Sequence, residues 1–561
     1  MCGIAGFCNF KEDFEENTDY WNFRLEKMRA VLAHRGNDAR GRYLKKHIGL
    51  SHSRLAIRDI LCGDQPMTRT HNGCDYTICY NGEIYNTDEL IPELSENGFV
   101  CSTTSDTEVI LYAYIHWGAD FVNRLNGIFA FAIWDAAKNR LLLYRDRVGV
   151  KPLFYAIRGD YLVFGSEPKA CFAHPAVKPE LDKQGLQELL AIGPAHTSGL
   201  SLFKDLFEVL PGHFMIYSKD GLHDETYWEL TSREHTESYQ DTVAHTRFLV
   251  EDAIKRQMVS DVPVCTFLSG GIDSSIVTAI AANYMNTRGK TLNTFSFDFK
   301  DNDRYFKANA FQPERDLPYV NRMLEEYETA HSYLECDENS LFKALFAAVD
   351  AKDMPGMTDV DSSLLYFCSL VSRKNKVALT GECADEIFGG YPWFYRKELL
   401  ERYGFPWSSD VSPRLALLRD DVGLELDLSG YQAFRYEESR SKAPLLYGEA
   451  GEDESRRIIG YLNIKWFMQT LLDRMDRTVV DMQILNCQHA APSFLFPRYA
   501  SMTAGLDWIS SGVPFAMIFP KFRTQMPSQM PMTRFMSCSI SRIAMPKVSR
   551  MRTMLSISSA V

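Results

Sequence analysis

The second residue of the chain, Cys2, is the first candidate for chemistry. Its small side chain permits removal of the initiator methionine, which leaves one residue carrying a thiol and a free α-amine. Because an α-amine has a pKa of about 8, it can accept the thiol proton near neutral pH, directly or through one water. A cysteine at position 2 can also occur in a protein where it has no catalytic role. The sequence therefore offers a cysteine nucleophile with its own base, to be judged by its context.

A glycine-rich segment, SGGIDSS (269–275), is the second candidate. It follows the apolar run VPVCTFL and precedes the helical pattern IVTAIAANYM, so it lies between a strand and a helix. Backbone N–H groups and the helix dipole attract anions at such a position. The segment matches neither GxxxxGK[ST] nor GxGxxG, and a serine-capped turn is the alternative. We interpret it as a phosphate-binding loop of another type.

The elements that must position these two sites differ in pattern. From Gly3 to about Gly221, short apolar or alternating runs separated by Gly, Asn and Asp predict sheet packed on sheet or helix. After a polar stretch, unbroken apolar strands (VPVCTFL, TLNTFSFDF and KVALTG) are separated by helical patterns, with Ile272, Ile276 and Ile280 at helical spacing. Strands buried on both faces favour an α/β unit with a parallel sheet.

Composition excludes several classes of protein. A chain of 561 residues with 45% hydrophobic content predicts at least two domains. The net charge of −12 without a Lys/Arg stripe argues against nucleic acid as a partner. The sequence has no basic leader and no apolar run of about 18 residues, so we expect neither export nor a membrane span. Thirteen scattered cysteines without a CxxC pair predict reduced thiols and a cytoplasmic location.

Motifs in the first half resemble class II glutamine amidotransferases. They are CGIAG (2–6), HRGNDA (34–39), SRLAIRD (53–59), YNGEIYN (80–86) and TSDTE (104–108), and the similarity continues through RDRVGVKPLFY (145–155) and FGSEPKA (164–170). The resemblance implies an N-terminal-nucleophile (Ntn) hydrolase fold, an αββα sandwich, over residues 2–215. Residues 216–240 are then a linker.

The same resemblance assigns roles in glutamine hydrolysis. Cys2 attacks the side-chain amide of glutamine to form a thioester and release ammonia, while Asn81 and the Gly82 N–H hold the oxyanion. The glutamine-binding residues that it implies are Arg54 for the α-carboxylate, Asp106 with Glu83 for the α-ammonium, and again Asn81 and Gly82. A surface arginine, an Asx-turn and a helix cap are the separate structural explanations for these residues.

In the second half, SGGIDSS resembles the pyrophosphate loop (PP-loop) of the ATP pyrophosphatases, and LTGECADEIFGGYPWF (379–394) resembles a motif of the asparagine synthetases. The resemblance implies ATP as a substrate, Mg²⁺ held by Asp273 and Asp385, and Glu382 as the base for ammonia. The expected ATP and pyrophosphate site consists of Leu268, Ser269, Gly270, Gly271, Asp273, Ser274, Ser275, Phe297, Thr380 and Gly381. Phe297 replaces a smaller apolar residue of that family.

The acceptor is expected to be aspartate. MTDVDSSLLYF (357–367) resembles the segment that receives it, with Asp361 and Ser362 near the substrate. Ammonium has no lone pair for attack, so the resemblance implies a dry passage for ammonia to β-aspartyl-AMP, giving asparagine, AMP and pyrophosphate. A homodimer is common in that family. The alternatives are an amidotransferase that adenylates another carboxylate, a glutaminase with an impaired synthetase half, and a scaffold without catalysis.

The end of the sequence departs from this pattern. The resemblance to asparagine synthetases covers 241–477, up to WFMQTLLDRMDR (466–477). From Thr478 onward lie ten of the 21 methionines and only two acidic residues, Asp481 and Asp507. We interpret 478–561 as an atypical tail produced by a change of reading frame rather than a lineage-specific extension. We expect such a tail to weaken adenylation.

Overall fold

The computed structural model describes residues 1–308, 314–408 and 410–480, and the backbone of 485–488. In this part of the chain the strands form two six-stranded antiparallel sheets and one five-stranded parallel sheet. The strands of the antiparallel sheets are β1 (Gly3–Cys8), β2 (Ala39–Lys45), β3 (Ile48–Arg54), β4 (Met67–His71), β5 (Cys74–Ile84), β6 (Gly127–Asp135), β7 (Arg140–Arg145), β8 (Phe154–Arg158), β9 (Tyr161–Gly165), β10 (Phe207–Glu208), β11 (His213–Ser218) and β12 (Gly221–Thr226).

The two antiparallel sheets have the strand orders β10-β8-β9-β1-β3-β2 and β12-β11-β7-β6-β5-β4. Their inner faces pack together through small and branched apolar side chains such as Leu50, Ala130 and Leu143. The helices of this half are α1 (Thr18–Ala30), α2 (Thr87–Glu96), α3 (Asp106–Trp117), α4 (Pro168–Phe172) and α5 (Lys183–Gln187).

These helices cover the outer faces of the sheets. Leu25 of α1 and Ala170 of α4 pack on the first sheet, and Ile110 of α3 packs on the second. Each sheet therefore has one face on the other sheet and one face on helices, which is the expected αββα sandwich. The predicted Ntn-hydrolase-like fold of the first half is confirmed.

The parallel sheet forms the second half. Its strands are β13 (Val264–Phe267), β14 (Leu292–Phe299), β15 (Thr329–Cys336), β16 (Val377–Thr380) and β17 (Leu485–Gln488), in the order β15-β14-β13-β16-β17. The helices are α6 (Tyr239–Arg256), α7 (Ile272–Asn286), α8 (Asn302–Tyr305), α9 (Leu317–Glu326), α10 (Glu338–Lys352), α11 (Thr358–Val371), α12 (Ala384–Phe388), α13 (Lys397–Leu400), α14 (Ser412–Leu415), α15 (Asp420–Leu426), α16 (Leu428–Ser441), α17 (Glu452–Leu462) and α18 (Met468–Val480).

Helices cover both faces of the parallel sheet, as its unbroken apolar strands require. Val250 of α6 and Ile276 of α7 pack on one face, and Phe367 of α11 and Met475 of α18 pack on the other. Strand β15, with the alternating sequence TAHSYLEC, lies at one edge and is half exposed. The α/β prediction for this half is confirmed.

Two elements cross the predicted domain boundaries. The β11–β12 hairpin pairs with β7 and runs to Thr226, so the second sheet continues into the segment assigned to the linker. Helix α18 continues past residue 477, and the backbone of β17 pairs with β16. The rest of the predicted tail, 481–484 and 489–561, lies outside the described residues. Among the described helices, none is long and apolar enough to cross a membrane.

Candidate active sites

Cys2 lies immediately before β1, which runs between β3 and β9 in the first sheet. The Nε group of Arg35 donates a hydrogen bond to the Cys2 carbonyl at 2.9 Å. The Cys2 thiol is 3.7 Å from the Leu55 carbonyl oxygen, to which it donates. The backbone and the side chain of Cys2 are therefore both held at the start of the sheet.

The α-amine at the start of the intact chain is that of Met1, the neighbour of Cys2. Burial lowers the pKa of this amine to about 5, so it is neutral near pH 7. Burial raises the pKa of the Cys2 thiol, while the adjacent amine, the Leu55 carbonyl contact, Arg54 and Arg35 lower it. A neutral amine beside a thiol can accept its proton, as the sequence predicts for the processed chain.

Asn81 has the properties of an oxyanion donor. Cys79, Asn81 and Glu83 share one face of β5, because alternate residues of a strand point the same way. Ile4 of β1 and Cys79 of β5 belong to one buried cluster, and Cys2 lies two residues before Ile4, so this face of β5 lies near Cys2. Burial, and then the charge of the Cys2 thiolate, raise the pKa of Cys79. Asn81 is fully buried, and no group among the described residues hydrogen-bonds to its side-chain amide.

An unsatisfied buried amide costs about 1–3 kcal/mol, so its retention beside a nucleophile points to a ligand. Gly82 follows Asn81 in β5 and is in register with Phe129 of β6. The two predicted oxyanion donors thus lie on an ordered strand next to Cys2. The side chain and the N–H are fixed before charge develops, as oxyanion stabilisation requires.

Glu83 and Asp106 form a buried acidic pair. Asp106 begins α3 and accepts hydrogen bonds from the Tyr80 hydroxyl at 2.9 Å and the Ile84 N–H at 3.0 Å. Burial, and then Asp106, raise the pKa of the Glu83 carboxyl well above its usual range. Arg58 lies 4.0 Å from Asp106 and partly offsets this repulsion. The site can therefore receive a cation such as the ammonium of an amino acid.

Arg54, expected to grip the glutamine carboxylate, is engaged by its own loop. Its guanidinium donates to the carbonyl oxygens of Asp59 at 2.5 Å and Ile60 at 3.1 Å and to Asp64 at 3.1 Å. To bind a carboxylate through two hydrogen bonds, the Arg54 guanidinium must give up some of its hydrogen bonds to the 58–64 loop. Sequence reasoning missed Arg35 and Arg58, although both lie within the quoted motifs HRGNDA and SRLAIRD.

The second site lies where the parallel sheet reverses its strand order. In the sheet, β14 and β15 lie on one side of β13, and β16 and β17 lie on the other side. The switch point in strand order therefore lies at the carboxyl ends of β13 and β16. Ligands bind in the crevice at such a switch point. The loop 268–271 leaves β13 here and leads into α7, and Gly381 follows β16.

The loop after β13 is shaped by glycine and serine. Gly270 has a φ of +79°, a left-handed conformation that glycine adopts without strain. The Ser269 and Ser274 hydroxyls are 3.0 Å apart, and Ser274 donates to the Gly271 carbonyl at 3.1 Å. The Ser275 hydroxyl is buried and has no hydrogen-bond partner among the described groups. The N–H groups at the start of α7 are suited to binding an anion.

Four acidic side chains gather beside this loop. A Cβ on Gly381 would lie 2.7 Å from the backbone carbon of Asp273, so the two loops touch closely. Burial and Glu382 raise the pKa of Asp273 to about 7. Burial, then Asp273, Glu386 and Glu382, raise the pKa of Asp385 well above its usual range. Glu386 is buried too, and burial raises the pKa of its carboxyl to about 8.

This cluster fits a cation. The Asp385 Oδ1 atom is buried, and nothing in the described part of the chain hydrogen-bonds to it. Carboxylates that repel one another in a buried site are relieved by a bound cation, and oxygen ligands suit Mg²⁺. Within the described residues, however, no group of three or more His, Cys, Asp or Glu side chains is arranged to hold a metal ion. Asp273 and Asp385 would leave the other positions around the ion to phosphate and water.

The remaining predicted ATP residues lie in the loop after β13, on β14 and at the end of β16. Leu268 is buried and its N–H donates to the Phe295 carbonyl at 2.8 Å. The Phe297 ring packs 5.1 Å from the ring of Phe367. The buried Thr380 hydroxyl at the end of β16 has no partner among the groups described.

The residues predicted to lie near the aspartate substrate and to act as the base are close to cationic side chains that sequence reasoning missed. Asp361 is buried, accepts from the Met357 N–H at 2.8 Å and lies 3.6 Å from Lys352. Ser362, its neighbour, is buried as well. Glu382 pairs with Arg474 of α18 at 2.6 Å. Arg474 was detectable only as part of the motif WFMQTLLDRMDR, which carries no chemical signature.

Comparisons with known proteins agree with this division into two sites. Residues 1–228 match the glutamine amidotransferase domain family, and residues 245–482 match the asparagine synthase family. The chain also aligns with a solved structure of glutamine PRPP amidotransferase from B. subtilis complexed with ADP and GMP, at a TM-score of 0.31 and 15% identity, covering 60% of this chain and 81% of that one.

Two curated relatives extend the match over most of the chain. Asparagine synthetase [glutamine-hydrolyzing] 3 of Bacillus subtilis is 48% identical over 478 residues, which is 85% of this chain and 77% of that protein. Asparagine synthetase [glutamine-hydrolyzing] 1 of the same organism is 33% identical over 403 residues, 71% of this chain and 60% of that protein. On these similarities, the chain belongs to the glutamine-hydrolysing asparagine synthetase family.

Proposed function

We propose that this protein makes asparagine from aspartate, with ammonia taken from glutamine and energy taken from ATP. The products are asparagine, glutamate, AMP and pyrophosphate. The strongest support is the buried, unpartnered amide of Asn81 on the strand face beside Cys2, within a chain that also carries a phosphate-type loop at a sheet switch point. Family membership supports the same reaction.

In the first half, Cys2 is the proposed nucleophile. After removal of Met1, its α-amine takes the thiol proton and the thiolate attacks the side-chain carbonyl of glutamine. Asn81 Nδ2 and the Gly82 N–H stabilise the oxyanion, which collapses to a thioester and releases ammonia. Water then hydrolyses the thioester to glutamate. Glu83 and Asp106 hold the substrate ammonium, and Arg54 holds its carboxylate once the 58–64 loop yields.

In the second half, the loop 269–275 is proposed to bind the phosphates of ATP through its N–H groups and serines. Mg²⁺ bound by Asp273 and Asp385 would neutralise charge on the departing pyrophosphate. Leu268, Phe297, Thr380 and Gly381 are proposed to receive the adenosine. Asp361 and Ser362 face the aspartate, whose β-carboxylate attacks the α-phosphorus of ATP and displaces pyrophosphate.

Glu382 is the proposed base for the last step. Ammonia attacks the carbonyl of β-aspartyl-AMP, Glu382 accepts a proton from the developing ammonium, and AMP leaves. Arg474, whose Nη2 lies 2.6 Å from the Glu382 carboxylate, holds Glu382 in its orientation. Because water would protonate free ammonia, transfer between the sites is proposed to follow a dry path inside the chain.

The domain division proposed from the sequence is 2–215 for the glutaminase half, 216–240 for the linker, 241–477 for the synthetase half and 478–561 for the tail. The β11–β12 hairpin and α18 support moving the first boundary to Thr226 and the last beyond Val480. A cytoplasmic location and a homodimer are also proposed, since both suit an enzyme of this family.

A four-product assay tests the proposal. The protein is incubated with glutamine, aspartate and Mg-ATP, and glutamate, asparagine, AMP and pyrophosphate are measured separately. We expect asparagine, AMP and pyrophosphate in equal amounts. Pyrophosphate release with a different acid in place of aspartate would assign another acceptor. Glutamate alone would mean that the tail prevents adenylation, and no product at all would refute the proposal.

A further inference from the structure

We propose that Asp476, on α18 of the synthetase half, is a positioning residue for the glutaminase nucleophile. It acts through Arg35, which joins Asp476 to the backbone of Cys2. The inference rests on the proposed glutaminase function of Cys2 and adds that this function depends on a side chain from the other half of the protein.

The Arg35 guanidinium is fully buried, and all three of its nitrogens are engaged. Nε donates to the Cys2 carbonyl at 2.9 Å, Nη1 to Glu167 at 2.7 Å and Nη2 to Asp476 at 2.7 Å. Because the guanidinium is planar and rigid, fixing two nitrogens fixes the direction of the third. The carboxylates of Glu167 and Asp476 together therefore set the position of the Cys2 carbonyl.

The two carboxylates belong to different halves of the protein. Glu167 belongs to the first half and has further partners there, His34 at 2.9 Å and Lys169 at 3.1 Å. Asp476 comes from α18, is fully buried, and lies 3.4 Å from Lys151 of the first half. Asp476 is thus the acceptor through which the second half reaches Cys2. Without its charge, Arg35 Nη2 and Lys151 lose a buried counterion.

Helix α18 lies between the two sites. Asp476 and Arg474 are two residues apart, so their side chains leave the helix in different directions. Asp476 reaches Arg35 beside Cys2, while Arg474 reaches Glu382 in the synthetase site. A small shift of α18 therefore moves an ion pair at both sites. Glutamine hydrolysis should respond to this helix although none of the residues proposed to bind glutamine belongs to it.

The test is the steady-state kinetics of glutamine hydrolysis by Asp476→Asn in the full-length protein. Loss of the charge lets Arg35 and the Cys2 carbonyl relax, and a displacement of about 1 Å at a nucleophile can cost about a hundredfold in rate. We expect kcat for glutamate formation to fall about ten- to a hundredfold with KM little changed, since Arg35 does not touch glutamine.

Asp473→Asn is the matched control on the same helix. Asp473 is paired with Lys352 at 3.3 Å and Arg477 at 3.7 Å, and neither contact involves Arg35. It should keep the wild-type kcat. Equal losses in both variants would show a general effect of the helix and overturn the inference. A lowered melting temperature with unchanged kcat in Asp476→Asn would overturn it too.

Arg35→Lys covers the case in which Asp476→Asn does not fold. Lysine keeps the positive charge between Glu167 and Asp476 but cannot reach the Cys2 carbonyl as well, so the same fall in kcat is expected. A wild-type kcat in Arg35→Lys overturns the inference. A wild-type protein that does not hydrolyse glutamine would instead reject the proposed function, so the two failures are distinguishable.

Discussion

Arg474 Nη2 lies 2.6 Å from Glu382 Oε1, and this ion pair joins α18 to the loop that follows β16. The arginine side chain is only 3% exposed and the glutamate 20% exposed, so the pair is largely screened from water. Breaking a buried pair by removing one partner leaves an uncompensated charge and commonly costs about 3–5 kcal/mol. The proposed synthetase base is therefore held by a helix from which Asp476, two residues further on, reaches the first half of the protein.

Replacement of this arginine should be destabilising. We expect Arg474→Met to lower the free energy of unfolding by about 3 kcal/mol, the lower end of the buried-pair range because Glu382 keeps some contact with water. Asparagine formation should fall as well, since Glu382 loses its orientation. Chemical denaturation measures the first effect. Arg402→Met, at an exposed position, should leave stability unchanged, and a similar loss there would contradict the explanation.

Asn81→Ala should impair catalysis and spare the fold. Removal of one oxyanion donor costs about a hundred- to a thousandfold in kcat. Because the Asn81 amide makes no hydrogen bond within the described structure, its loss should not lower the melting temperature. Glutamate formation measures the first effect and calorimetry the second.

Asn86→Ala should behave in the opposite way. Asn86 bonds the Arg124 carbonyl at 3.0 Å and the Asn126 N–H at 2.8 Å, so its loss removes two structural hydrogen bonds. We expect a loss of stability of about 1–3 kcal/mol with kcat near the wild-type value. If Asn81→Ala destabilised the protein and left kcat unchanged, Asn81 would be a structural residue.

Gly381→Ala should separate the two activities. An added Cβ would lie 2.7 Å from the Asp273 Cβ and 2.8 Å from the Ser274 nitrogen, so the loop after β13 must move. We expect loss of aspartate-dependent pyrophosphate release with glutamine hydrolysis retained. Gly423→Ala, where the nearest atom is 3.7 Å from the new Cβ, should retain both. Normal pyrophosphate release in Gly381→Ala would place the ATP site elsewhere.

His52 should make the protein sensitive to acid. It is fully buried beneath β5, with Nε2 at 3.0 Å from the Tyr80 carbonyl, and burial lowers its pKa to about 4. A depressed folded pKa means that the stabilising contribution is present above the unfolded pKa of about 6.5 and is lost as pH falls toward 4. The loss is on the order of 3 kcal/mol.

His52→Gln can keep the bond to Tyr80 and cannot titrate, so its stability should change less between pH 7 and pH 4.5 than that of the wild type. Melting temperatures across this range give the comparison. His223→Gln, at an exposed position, should follow the wild-type curve. If His52→Gln followed it too, other groups would govern acid unfolding.

Local sequence patterns were sufficient for the strands and helices that carry both sites. The run VPVCTFL, SGGIDSS and the apolar helix after them correspond to β13, the phosphate loop and α7. Strand β15 was missed because its alternating sequence belongs to a half-exposed edge and lacks the unbroken apolar run of a buried strand.

Contacts between distant segments could not be predicted in this way. Arg35 and Asp476 are separated by 441 positions and meet only when both halves are folded. Arg54 was expected to be available to a ligand, but the carbonyl groups that occupy it come from a loop whose course the sequence does not reveal. A side chain's type can be read from a motif, whereas its partners depend on the packing of the whole chain.

The most direct test of the two-site enzyme uses glutamine labelled with ¹⁵N in its amide, together with aspartate, Mg-ATP and unlabelled ammonium in solution. Transfer inside the chain from Cys2 to the synthetase site predicts asparagine that carries ¹⁵N in its amide, and a Cys2→Ala variant whose asparagine is unlabelled. Asparagine from the wild-type protein with the isotope content of the dissolved ammonium would contradict the coupling of the two sites.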